Sequence, residues 1–117
     1  MNGGDEPRAD DKVTQTWILW CEGEVVGGLV ESRREMWNSS CAFSPAVAFA
    51  RHRQLFAEKA RVADLIAASH DATLIAQWEA LEKETSPPRF QLTGADGRAQ
   101  PFSMLYIEGD EAGLRLV

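Results

Sequence analysis

Ser44-Pro-Ala-Val-Ala-Phe-Ala-Arg-His-Arg-Gln-Leu-Phe-Ala-Glu-Lys-Ala-Arg-Val-Ala-Asp-Leu-Ile-Ala-Ala68 is the stretch on which the fold class turns. Serine is a good N-cap and proline suits the first helical position, so a helix is predicted from Ser44-Pro45 to about Ala68. The body is rich in alanine, leucine, arginine, glutamate and glutamine, all good helix formers. At 100° per residue Phe49, Phe56, Ala60, Ala63, Ile66 and Ala67 share one face, widened by Leu55 and Val62. Ser69-His70-Asp71 interrupts, and Asp71 or Ser69 can cap a second helix to about Glu84 that buries Leu74, Ile75, Trp78 and Leu81. One bent helix is the alternative. Pro87-Pro88 ends the helical region.

Strands flank this helical centre on both sides. Residues 13–21 (Val-Thr-Gln-Thr-Trp-Ile-Leu-Trp-Cys) are β-branched and aromatic, and Val25–Val30 follows a short Glu22-Gly23-Glu24 turn, which predicts a hairpin. Gly27-Gly28 within it signals a bulge or a close approach. The segment 31–43 has no clear period; the second strand can run on to Trp37 before Asn38-Ser-Ser breaks it. After the prolines, Arg89–Thr93, Phe102–Glu108 and Leu114–Val117 read as three short strands around turns at Asp96-Gly97 and 109–113. The expectation is an α+β domain over residues 13–117: an N-terminal β-hairpin, two helices and C-terminal antiparallel strands in one sheet of mixed order packed on the helices. Residues 1–12, polar and acidic, are expected to form a disordered tail.

Strand alternation places Trp17 and Leu19 opposite Ile18 and Trp20, and Phe102, Met104 and Tyr106 opposite Leu105 and Ile107. Large apolar residues therefore fall on both sheet faces, whereas one helical layer covers only one. The second face needs a subunit or partner, helices split over both faces, or a sheet that curls over itself.

The 117 residues carry a net charge of −6 that is unevenly spread. Residues 33–63 hold six basic side chains (Arg33, Arg34, Arg51, Arg53, Lys59, Arg61) and only two acids, Glu35 and Glu58, while both flanking regions are acidic. An acidic chain argues against generic nucleic-acid or anionic-membrane binding. No apolar run reaches the roughly 20 residues of a membrane helix, and the N-terminus lacks the pattern of a secretory signal. Two cysteines are too few for a disulfide scaffold, so reduced thiols in a cytoplasm are expected.

Catalytic patterns are weak. There is no phosphate-binding glycine loop, nucleophile elbow or metal-ligand spacing, and no cofactor or metal is expected. Cys41 stands three residues before the expected N-cap, where a helix terminus would favour thiolate, and His52 or His70 could serve as its base. That makes a small Cys/His enzyme or ligand-binding domain one alternative. RNA or DNA binding through the arginine-rich segment 33–61 is another, although Arg51, Arg53 and Arg61 fan around the helix axis. Arg33, Arg34, Met36 and Trp37 combine the residue types that dominate protein interfaces. The leading expectation is a protein-binding or inhibitory domain without catalysis of its own, a homodimer through its sheet, contacting partners through Arg33, Arg34, Met36, Trp37, Ile18, Trp20, Arg51 and Arg53.

Overall fold

The computed structural model describes residues 15–117; the expected tail, residues 1–12, lies outside them. The strands are β1 (Thr16–Cys21), β2 (Glu24–Glu35), β3 (Asn38–Pro45), β4 (Phe90–Gly94), β5 (Ala99–Gln100), β6 (Phe102–Glu108) and β7 (Glu111–Leu116). Between β3 and β4 lie a 3₁₀ turn (Val47–Arg51) and two helices, α1 (Arg53–Ser69) and α2 (Ala72–Glu84). All strands join one antiparallel sheet in the order β5-β4-β1-β2-β3-β7-β6.

The α+β class is as expected, with two corrections. The N-terminal unit is a three-stranded meander, and the sheet is not flat. Its edge strands β5 and β6 are joined by Pro101 alone, so the two edges must approach each other and the sheet curls into a half-barrel. Register shifts at Leu19/Trp20, Glu31/Arg33 and Phe102/Met104 supply the local bends that curling requires. Gly27 sits where neighbouring strands approach closely: a Cβ there would lie 2.5 Å from Phe43 Cε1 and 2.7 Å from the Ser44 carbonyl oxygen.

Curling encloses one of the two apolar faces. Trp17, Leu19 and Cys21 point inward, with Leu29, Phe43, Phe90, Leu92, Leu105 and Leu114 closing around them. Ile18 stays on the outside, as the alternation requires. In β6 the alternation breaks, because the extra residue at Ser103 turns Phe102 to the same side as Leu105 and Ile107 and leaves Met104 and Tyr106 on the other.

The helix does not start at Ser44-Pro45. Ser39, Cys41 and Phe43 alternate inward with period two, and β2 offers a paired neighbour as far as Pro45, so strand pairing overrides the local helix signal. The chain then turns through Val47–Arg51, anchored by buried Phe49, whose ring meets Phe43 edge-on at 4.9 Å. Since Phe49 precedes α1, it no longer fixes the helix face. The buried face is Phe56, Lys59 and Val62, and Ala63 and Ala67 are exposed.

The break is real. His70 adopts a left-handed C-cap conformation (φ 54°), and the Asp71 carboxylate accepts from the Thr73 amide at 2.7 Å to start α2. Helix α2 packs on α1, and none of its residues is buried. Leu74, Trp78 and Leu81 are half-buried and Ile75 is exposed, short of the full burial expected.

One polar group holds α1 to the sheet. Lys59 is 2% exposed, and its ammonium donates to Glu82 Oε1 (2.5 Å), Thr85 Oγ1 (2.9 Å) and the Leu105 carbonyl oxygen (2.7 Å). All three donors are used, and an otherwise unpaired acceptor on edge strand β6 is covered. Lys59, one of the six basic side chains of residues 33–63, thus faces inward; burial pushes its ammonium below the usual range while Glu82 pulls it back.

Candidate interaction surface

Strand β2 is twice the length of β1, so its last residues run past β1 and, among the described residues, pair only with β3, forming an arm that ends at Met36-Trp37. Glu35 pairs with Asn38, leaving a two-residue turn. Where only the first position of such a turn takes positive φ, glycine is favoured there. Met36 occupies it at φ 55°, and the side chain is 80% exposed; Trp37 beside it is 59% exposed. Two costs are combined here, a left-handed backbone at a residue with a long side chain and two large apolar groups in water.

The arm is held firmly. Arg33 pairs with Glu35 at 2.8 Å, and Arg34 Nε donates to Glu31 Oε2 at 2.6 Å. The same Glu31 oxygen accepts from Ser39 Oγ at 2.5 Å, although Glu31 lies at the edge of the core with its side chain 8% exposed. The Leu116 amide donates to the Trp37 carbonyl oxygen at 2.7 Å, which docks the turn on β7 and places exposed Val117 next along the chain. Arg115, opposite Asn38, adds a cation beside the tip. Arg33, Arg34, Met36 and Trp37 are thus brought together, as their order in sequence implied.

The other interface candidates are elsewhere. Ile18 lies on the outer wall with Val30, at 39% and 46% exposure, and Trp20 is pinned there by its indole N–H donating to Thr93 Oγ1 at 2.9 Å. Arg51 pairs with Glu24, the first residue of β2, whereas Arg33 and Arg34 lie near its last. At about 3.3 Å per residue, the twelve-residue strand separates these ends by roughly 30 Å or more. Arg53 stacks on the Phe49 ring at 5.0 Å, and Arg61 is held by Glu58 through two hydrogen bonds. The basic excess in the sequence becomes locally neutralised pairs on different parts of the surface.

The Cys/His pair is not assembled. Cys41 lies inside β3, far from a helix start, with Sγ 3.5 Å from Ser39 Oγ; burial pushes its thiol above the usual range, aided by the Glu31 carboxylate. His52 is buried against Phe90, ring centroids 5.4 Å apart, among Arg89, Arg51 and Glu22. His70 is exposed at the helix break. Cys21 has a raised thiol for the same reason as Cys41, desolvation, with Arg89 opposing it. Among the described residues no cluster of three His, Cys, Asp or Glu side chains could hold a metal ion.

Burial, then the neighbouring Arg89 and Arg51, push the His52 imidazole below 6.5. An unfolded chain takes up this proton near 6.5 and the folded one resists, so His52 favours folding above that pH and loses this contribution as pH falls below it. Urea midpoints measured from about pH 7 to about pH 5 should fall more steeply for the native chain than for His52→Gln. Equal slopes would contradict the placement.

Fold and surface together define a small antiparallel half-barrel with an apolar-tipped arm. Comparison with protein-family models, with curated proteins and with solved structures finds no match to this chain. Among the described residues no helix is long and apolar enough to cross a membrane.

Proposed function

We propose that the protein is a small binding or inhibitory domain that engages another protein through the β2–β3 arm. The observation that carries this reading is the tip: Met36 and Trp37 present their apolar side chains to water, and Met36 does so from a left-handed backbone conformation. Tryptophan, methionine and arginine are enriched at interfaces, and an arm already paired with β3 loses little conformational freedom on binding. Arg33, Arg34 and Arg115 at the rim would set orientation and association rate more than affinity.

The test is affinity capture from the native host with the intact chain and with Met36→Ser/Trp37→Ser. A specific partner should be retained by the first and lost by the second, with an affinity drop of at least about thirtyfold, or roughly 2 kcal/mol for a tryptophan hot spot. The exposed side chains predict a change of less than about 0.5 kcal/mol in stability. A partner that binds both chains equally would sink the assignment.

Self-association extends the same reading to the outer wall, where Ile18, Val25 and Val30 remain exposed. Light scattering at micromolar concentration should then give twice the 13.0 kDa chain mass; the chain mass itself removes the homodimer from the proposal.

A further inference from the structure

A groove of about 380 Å³ opens between α1, α2 and the edge of β6; its wall residue Met104 lies two strands across from Asn38, next to the arm's turn. Trp78, Met104 and Tyr106 form its apolar walls, Ala60 and Ala63 its floor along α1, and Asp64 and Glu108 its rim. The Tyr106 ring is fixed in place by what its neighbour lacks: Gly113 lies opposite it, and a Cβ there would sit 1.9 Å from Tyr106 Cε1. Lys59, the cation at the base of the groove, is closed to a ligand. It is 2% exposed, its three donors are taken, and its charge is matched by Glu82. Asp64 and Glu108, by contrast, form no ion pair among the described residues. Nearby Arg61 is held by Glu58 and Arg53 by Phe49. Arg53, with no acidic partner among the described residues, lines the adjoining cavity with the same two carboxylates, so the acids there outnumber the unpaired cation by one. The groove therefore presents aromatic faces, a thioether and a net negative rim, a combination that attracts a cation with an apolar stem.

We propose that this groove docks an arginine side chain presented by an apolar segment of a partner protein. The aliphatic stem lies against Met104 and Trp78, whose ring already faces the Lys59 ammonium at 5.5 Å, the planar guanidinium stacks on the exposed Tyr106 ring, and its N–H groups donate to Asp64 and Glu108. Arginine fits better than lysine because one planar group can stack and donate to two carboxylates together. The chain's net charge of −6 draws a basic segment toward the site.

The test is independent of the arm. The tripeptide Ac-Leu-Arg-Leu-NH₂ and its neutral isostere Ac-Leu-citrulline-Leu-NH₂ are titrated into the full chain, following the indole N–H resonances of Trp78 and Trp37. The arginine peptide should shift Trp78 saturably and bind about tenfold more tightly than the citrulline peptide. In Asp64→Asn/Glu108→Gln, whose altered side chains are exposed, that preference should fall below about threefold with an unchanged melting temperature. Equal binding of the two peptides, shifts confined to Trp37, or no shift at millimolar peptide would each overturn the proposal. Argininamide binding as tightly as the tripeptide would overturn the protein-segment assignment in favour of a small organic cation.

Discussion

Lys59→Ala is expected to destabilise the fold by about 3 kcal/mol or more, read as a lowered urea midpoint. The substitution strips three acceptors at once: Glu82, Thr85 Oγ1 and the Leu105 carbonyl oxygen. Removing one partner of a buried ion pair typically costs about 3–5 kcal/mol because the remaining charge is left uncompensated. Replacing the whole pair by apolar groups is often neutral. Lys59→Met/Glu82→Leu should therefore recover most of the loss, with the residue of it reflecting Thr85 and the uncovered edge of β6. A single Lys59→Ala variant as stable as the native chain would mean that this lysine does not hold α1 to the sheet.

Phe56→Ala should be comparably damaging, at about 3–5 kcal/mol. Phe56 is 1% exposed and its ring stands 6.0 Å from Phe49 and 5.4 Å from Phe90, so it links the 3₁₀ turn, α1 and β4 inside the half-barrel. Nothing in a curled wall can collapse easily into the space it leaves, which places the cost at the upper part of the range for core truncations. Phe56→Leu, which keeps most of the volume, should cost about half as much. Loss below about 1 kcal/mol for the alanine variant would show that α1 is not the plug of the barrel.

These two residues also show where sequence patterns stop being informative. The period of α1 was legible, but its phase was not, because Phe49 belongs to the preceding turn and Lys59 faces inward. No local rule marks a lysine as buried; its burial depends on Thr85 and Leu105, partners 26 and 46 residues away. The strong Ser44-Pro45 signal failed for a related reason, since the paired β2 strand was an alternative that only the tertiary fold supplies. Strand β3 itself left a faint trace, the inward alternation of Ser39, Cys41 and Phe43, hidden by the small size of two of the three. Strand β5 has only two residues and left none. By contrast, the helix break at Ser69-His70-Asp71 and the facing of β1 rest on local chemistry and were readable.

The candidate site divides in the same way. Arg33, Arg34, Met36 and Trp37 are contiguous, so any fold that exposes them keeps them together, and the hairpin does so. Arg51 and Arg53 looked like part of that group on the charge profile. The strand between them and the arm carries the two sets to opposite ends of β2, and each arginine finds its own local partner. The Cys41 reading depended on a helix terminus that the fold puts twelve residues further on, at Arg53. The groove beside Trp78 draws on α1, α2 and β6 and could not have been assembled from neighbours in sequence.

The central claim is that the arm's tip is the surface that meets another protein. Its most direct measurement is site-specific photo-crosslinking in the native host, with p-benzoylphenylalanine placed at Trp37 and, as the control, at Val47, an even more solvent-facing position (96% exposed) on the 3₁₀ turn. The account predicts a discrete crosslinked adduct from position 37 and none from position 47. An adduct from position 47 alone, or none from position 37 in cells where the intact chain captures a partner, would contradict it.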